Sequence, residues 1–198
     1  EKEDPTLIVL SADHLIKNHT ELTKSIQIAK EVAKLGKIVT LGINPSNPEA
    51  GYGYIEVDKK NQSNYFNIVS FNEKPSVEVA KDYISSGKYF WNSGIFLFKA
   101  SAYLEELKKF EPEIFNICEK TYNSASKDLD FVRLHYDQFH KCPDKSIDYA
   151  IMEKTKIGVT VPFKSSWKDI GSWKSLWESK SKDNNNNVID GDVLLNHV

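Results

Sequence analysis

The hydrophobic pattern of the chain switches repeatedly between two periods. Thr6-Leu7-Ile8-Val9-Leu10 is an unbroken run dominated by aliphatic side chains, the pattern of a strand buried on both faces in a sheet covered by helices. Leu22, Ile26, Ala29, Val32 and Ala33 then recur at helical spacing behind the cap candidates Asn18-His19-Thr20, and Gly36 stands where a helix ends. Ile38 to Ile43 is a second strand, so strand, helix and strand predict one right-handed βαβ unit with parallel strands. Further strands are predicted over 54–57, 68–71, 89–98 and 157–161. Helices are predicted over 76–87, over 101–123 with a hinge at Glu111-Pro112, and over 128–136. Ser146 to Glu153 reads as a helix start that Ser146 or Asp148 caps, and a last helix runs through Leu176 and Trp177. Two prolines and two glycines make 44–53 a loop, and 58–64 is polar and turn-like.

Composition narrows the class. The 198 residues are 40% hydrophobic and 27% charged, enough for one α/β domain with a real core. A net charge of -2 leaves no footprint for nucleic acid, and no apolar run approaches the roughly 20 residues that span a bilayer. Cys118 and Cys142 lie far apart without metal-ligand spacing and read as reduced thiols of a cytoplasmic protein. Both ends read as cut. The chain enters a buried-type strand at once and stops inside an apolar pattern, so it is expected to be part of a longer protein. Residues 1–179 are read as the C-terminal part of a domain, 180–187 as a polar linker, and 188–198 as the start of a C-terminal β-structure.

Chemistry-bearing residues gather at strand ends. Asp13 follows the first strand and is placed either to hold a metal ion or to cap the next segment. Gly51 and Gly53 flank Tyr52, where the backbone could approach a ligand or simply kink a hairpin. Asn72-Glu73-Lys74-Pro75 sets an acid beside a base. The ammonium suits a phosphate and the carboxylate suits sugar hydroxyls, although a solvated surface turn would look the same. Asn92-Ser93-Gly94 interrupts an apolar strand, and a buried Asn must have its hydrogen bonds met by backbone or by ligand. Asp169, followed by Gly171, is a second carboxylate at a strand-to-helix junction.

Taken in order, these features resemble a known family. Ala12-Asp13-His14, Pro48 to Ile55, Asn72 to Pro75, Trp91 to Phe98, Ser146 to Thr155 and Trp167 to Trp173 are similar to the bacterial mannose-1-phosphate guanylyltransferases, within the nucleotidyltransferases that make nucleoside-diphosphate sugars. The resemblance runs from about residue 6 to residue 194. It implies a Rossmann-like mixed, mostly parallel sheet flanked by helices, and transfer of GMP from GTP to mannose 1-phosphate, with GDP-mannose and pyrophosphate as products. It further implies that Asp13 and Asp169 hold Mg²⁺, that Glu73 and Asn92 meet the sugar, and that Asp148 also binds substrate. Lys74 would meet its phosphate, and Gly51, Tyr52, Gly53, Ser93, Gly94 and Gly171 would line the site. Asp13, Lys74 and Asp169 would be the catalytic residues. The family's Gly-rich loop, with its basic residues, is expected upstream of Thr6, so these 198 residues alone are expected to show little transfer. Ser11 and Ala50 stand where the family usually has Pro and Thr. A fused phosphomannose isomerase of cupin type, or a non-catalytic sugar-phosphate-binding domain, are the alternatives. The five histidines at 14, 19, 135, 140 and 197 are scattered, and offer the isomerase no metal site here. A homo-oligomer is left open, with the C-terminal β-structure as its candidate surface.

Overall fold

A computed structural model describes residues 3–59 and 64–194. A six-stranded mixed sheet forms the centre, built from β1 (Thr6–Val9), β3 (Ile38–Ile43), β4 (Tyr54–Val57), β5 (Phe66–Asn72), β6 (Tyr89–Lys99) and β9 (Gly158–Phe163) in the order β1-β6-β3-β9-β5-β4. Helix α1 (His19–Ala33) packs Ala29, Val32 and Ala33 onto one face. Its cap is Asn18, whose Oδ1 accepts the Glu21 N–H at 3.0 Å, so Asp13 is not the cap of this helix. On the other face, Leu107 of α3 (Ala100–Phe110), Ile114 and Phe115 of α4 (Pro112–Asn123) and the wide turn Asp148–Met152 cover Phe90, Phe96 and Phe98. The predicted helix over 76–87 is α2 (Val77–Ser86), capped by the Ser76 hydroxyl. Every residue of β3 is buried, Thr40 included, between its neighbours β6 and β9.

The α/β class stands, with three corrections inside it. First, β3–β9 is the one parallel pairing among the described residues, and the other strand pairs are antiparallel. β1 and β3 do run the same way, but the long β6 lies between them, antiparallel to both. Second, β1 is not buried on both faces. Leu7, Ile8 and Val9 are 41–45% exposed, because β1 stands at the sheet edge with β6 as its only strand partner among the described residues. Third, 128–136 holds no long helix. Ser126–Asp128 (β7) and Phe131–Arg133 (β8) pair as a hairpin, and only Tyr136–Phe139 (α5) is helical.

Two short strands matter most for the site. β2 (His14–Ile16) pairs antiparallel with β10 (Trp167–Asp169), with His14 opposite Asp169. Helix α6 (Trp173–Ser179) follows at once, started by a Ser172–Ser175 capping box. Residues 188–194 carry no strand pairing, and residues 195–198, on which the expected C-terminal β-structure also rests, lie outside the described residues. So does most of the turn expected over 58–64. No helix among the described residues is long and apolar enough to cross a membrane.

Candidate functional site

The β2–β10 pair explains how two acids more than 150 positions apart come together. Ile170 N–H donates to the Asp13 carbonyl at 2.9 Å, so the turn after β1 is fastened to the end of β10. Asp13, His14 and Asp169 then offer ligand atoms within 4.8 Å of one another. Asp169 Oδ1 is buried and has no hydrogen-bond partner among the described residues. A buried carboxylate oxygen left unpaired is costly unless something fills the gap. The donor set suits a hard divalent cation, which prefers carboxylate oxygens and keeps several waters.

His14 belongs to the stretch that carries the resemblance, yet as one of five scattered histidines it showed no role in the sequence. Its Nδ1 accepts the Trp167 indole N–H at 3.3 Å, with the two rings edge to face. Burial lowers the His14 pKa, partly offset by Asp169 and Asp13. Because the Trp167 N–H donates to Nδ1, that nitrogen carries no proton and Nε2 carries it, so His14 donates and the two carboxylates are the groups left for an ion. An open recess of about 380 Å³ lies beside Asp169, lined by Gly51, Tyr52, Gly171 and Lys174 among others. Tyr52 packs edge to face on both Trp91 and Trp167, and burial and the Asp169 carboxylate push its phenol up.

The second half of the site rests on a distortion of β6. Opposite β3, the pairing steps from Phe96 to Asn92 on β6 while β3 moves only from Thr40 to Gly42. The extra residues form a bulge at Ser93-Gly94, and Gly94 has φ +70, which L side chains rarely adopt. Bulges beside sites re-aim a side chain, and here the side chain is Asn92. Its Oδ1 accepts the Thr40 hydroxyl at 2.8 Å and the Gly94 N–H at 3.2 Å, while its Nδ2 donates to Asp148 Oδ1 at 3.0 Å. Asp148 is therefore not a helix cap, and no side chain caps that turn. Its carboxyl faces the site, where burial raises its pKa against the lowering effect of Ser146, Asn92 and Lys74. Ser93 does not join the site: it is 1% exposed and its Oγ accepts the Ile95 N–H.

Glu73 and Lys74 complete this half. A Cβ at Gly53 would stand 2.5 Å from Glu73 Oε2, so the glycine leaves room for the carboxylate rather than for a ligand. Lys74 Nζ lies 3.7 Å from Glu73 Oε1. Lys74 itself has φ +48 ahead of Pro75, a conformation that costs a non-glycine residue about 1 kcal/mol or more. Glu73, Lys74, Asp144, Lys145, Ser146 and Asp148 line an open recess of about 500 Å³. Burial, then the Asp148 carboxylate, raise the Glu73 pKa, with Lys74 opposing. Above the ordinary glutamate range and up to that raised value, the folded chain holds more proton than the unfolded chain, so this group's contribution to stability falls as pH rises through that window. Glu73→Gln is therefore expected to be more stable than the parent at about pH 8 and indistinguishable from it near pH 4, read by urea unfolding followed through tryptophan fluorescence.

The two halves meet at shared backbone. Tyr52 faces Trp167, whereas Gly53 next to it abuts Glu73 and accepts the Asn92 N–H at 2.8 Å. Gly94 approaches His14 and Ser11, whereas Asn92 two residues before it holds Asp148. The structure thus gathers Asp169, Gly171, Gly51 and Tyr52 around one recess, with Asp13 beside Asp169, and Glu73, Lys74 and Asp148 around the other, with Asn92 bonded to Asp148.

Relatives share this chain's sequence throughout. A Salmonella montevideo protein named mannose-1-phosphate guanylyltransferase is 49% identical over 100% of this chain and 43% of its own length. Its namesake from Escherichia coli is 46% identical over 99% of this chain and 42% of its own length. The chain therefore spans about two fifths of the length of the curated relatives it matches. Among solved structures, a Helicobacter pylori protein described as mannose-6-phosphate isomerase superposes with a TM-score of 0.77 at 32% identity, over 85% of this chain and 66% of that one. A Thermus thermophilus protein described as mannose-1-phosphate geranyltransferase gives 0.77 at 31% identity, over 90% and 50%. The profile of the nucleotidyl transferases matches residues 1–186, and with that span the chain belongs to the nucleotidyl transferase family.

Proposed function

We propose that this chain carries the sugar-phosphate half of a cytoplasmic mannose-1-phosphate guanylyltransferase, which joins mannose 1-phosphate to GTP and releases pyrophosphate. The observation that carries the reading is the shared backbone at 52–53 and 92–94, which sets an acidic metal-type pair beside a recess lined by Glu73, Lys74 and Asp148. The names of the relatives supply the base and the sugar. In this reading a phosphate oxygen of mannose 1-phosphate attacks the α-phosphorus of GTP, and the bond to the β-phosphate oxygen breaks as pyrophosphate leaves. The protein's work is positioning and charge neutralisation. Lys74, largely exposed at its ammonium end, holds the phosphate of the acceptor. Glu73 and Asp148 accept hydrogen bonds from sugar hydroxyls, with Asn92 fixing Asp148 in place. His14 Nε2–H is a donor for a water or a phosphate oxygen beside the acids. Asp13 and Asp169 would hold Mg²⁺, which when bound neutralises phosphate charge.

The test is product formation by the full-length protein with Mg²⁺, a panel of nucleoside triphosphates and a panel of hexose 1-phosphates. GDP-mannose and pyrophosphate in equal amounts support the reading, and no nucleotidyl transfer to any sugar 1-phosphate sinks it. Lys74→Ala is expected to raise KM for mannose 1-phosphate by about tenfold or more, since a hydrogen bond to a charged group contributes about 1.5–3 kcal/mol. KM for GTP should stay unchanged; equal losses for both substrates would assign Lys74 to the fold. The Helicobacter pylori name favours a second reading, an isomerase activity in the full-length protein. It predicts turnover of mannose 6-phosphate without nucleotide, and the same preparation answers it.

A further inference from the structure

We propose that Cys118 and Cys142 form a redox-sensitive disulfide that clamps the segment leading to Asp148 onto helix α4. The two sulfurs, 24 positions apart in the chain, lie 4.0 Å from one another, and both residues are partly exposed. A disulfide needs sulfurs about 2.05 Å apart, so closure asks for side-chain rotation and a shift of about 2 Å. The supporting elements are already packed together. Ser124 at the end of α4 donates to the Gln138 side chain of α5 at 3.1 Å, and Cys142 N–H donates to the Phe139 carbonyl at 2.9 Å.

What the bond would hold is the wall of the Glu73–Asp148 recess. Three residues after Cys142, Lys145 Nζ bonds Glu111 Oε1 at 2.6 Å, and Glu111 is the residue just before α4. Asp144, Lys145, Ser146 and Asp148 then line the recess. A bond at Cys142 together with the ion pair at Lys145 fastens both ends of residues 142–145 to one helix and removes the slack between them. The regulatory part of this inference rests on the sugar-phosphate reading of that recess, whereas the bond itself does not.

The oxidant is a small-molecule disulfide, of which oxidised glutathione is the probe. One cysteine thiolate attacks a glutathione sulfur and expels one glutathione thiolate, leaving a mixed disulfide. The second cysteine thiolate attacks the protein sulfur of that mixed disulfide and expels the other. Two protein thiols lose two protons and two electrons, and one glutathione disulfide becomes two thiols. Burial and the neighbouring Cys118 push the Cys142 thiol up, so the exchange is slow at neutral pH and long incubations are needed.

The experiment incubates full-length protein with oxidised glutathione or with a reducing thiol and maps the peptides bearing 118 and 142 by mass. The expected result is a cross-linked peptide pair, reversed by reduction and lost in Cys118→Ser and in Cys142→Ser. Thiols that stay free, or that each keep one glutathione, overturn the bond. In the oxidised form KM for mannose 1-phosphate should change by about fivefold or more, the low end of ordinary coupling between sites, with KM for GTP unmoved. Bond formation without a KM change overturns the clamp as a regulator. Should neither state transfer any nucleotide, the functional reading fails on its own. Slower proteolysis between residues 124 and 141 in the oxidised form would then still support the clamp, and equal cleavage would overturn it.

Discussion

Asp169→Asn in the full-length protein is expected to lower metal-dependent turnover by about a hundredfold or more, the usual cost of removing one preorganised electrostatic group from a phosphoryl-transfer site. The fold should not suffer. Asp169 Oδ1 makes no hydrogen bond among the described residues that the change would break, and Asn matches its volume. The strand pairing that places residue 169 opposite His14 runs through backbone groups and is untouched by the change. The expected signature is therefore a fall in kcat, a metal titration shifted to higher concentration and an unchanged or raised unfolding midpoint. Turnover equal to the parent's at saturating Mg²⁺ would remove Asp169 from the metal role. A lowered midpoint would show instead that the carboxylate serves the β2–β10 pair. Asp13→Asn should act in the same direction, because its carboxylate lies within the same 4.8 Å group.

How much of this arrangement could be read from the chain depended on the length of each element. The long periodic segments were legible: α1 with its Asn18 cap, α2 between Ser76 and Gly87, and the α3–α4 break at Glu111-Pro112 all stand close to where their patterns put them. The three-residue strands β2 and β10 were not, because a strand that short carries no period. They are nevertheless what unites Asp13 with Asp169, so both acids were legible in the sequence while their pairing by backbone was not. The β7–β8 hairpin was missed for a related reason. Its two-residue turn is Leu129-Asp130, with Leu129 at φ +53, where a hairpin would ordinarily advertise itself with Gly or Asn. The exposure of β1 shows the opposite failure: an apolar run reports that a strand can be buried, and the neighbours decide whether it is. At Asn92 the sequence showed an interruption that needed hydrogen bonds, and the structure shows that Thr40, Gly94 and Asp148 meet them through a bulge.

Asn92→Leu is therefore expected to destabilise the chain by about 3 kcal/mol, since each buried group left unpaired costs about 1–3 kcal/mol. Leu preserves most of the volume, so the loss isolates hydrogen bonding from cavity formation. Two groups lose their side-chain partner, the fully buried Thr40 hydroxyl and the Gly94 N–H, and the Asp148 carboxylate loses one of several. The last makes the loss depend on pH. Burial already raises the Asp148 pKa, and Asn92 is one of the groups that lower it. Without Asn92 the carboxyl is harder still to ionise in the folded chain. The destabilisation should then grow as pH rises through and beyond the ordinary aspartate range, and shrink in acid, where the carboxyl is protonated in both states. Adding Asp148→Asn to the variant should recover part of the stability at neutral pH, because the partly buried charge that lost a hydrogen-bond donor is then gone. A loss independent of pH, with no recovery in the double variant, would show that Asn92 supports the β6 bulge alone. Recovered stability without recovered KM for mannose 1-phosphate would separate the structural role of Asp148 from the proposed role at the sugar.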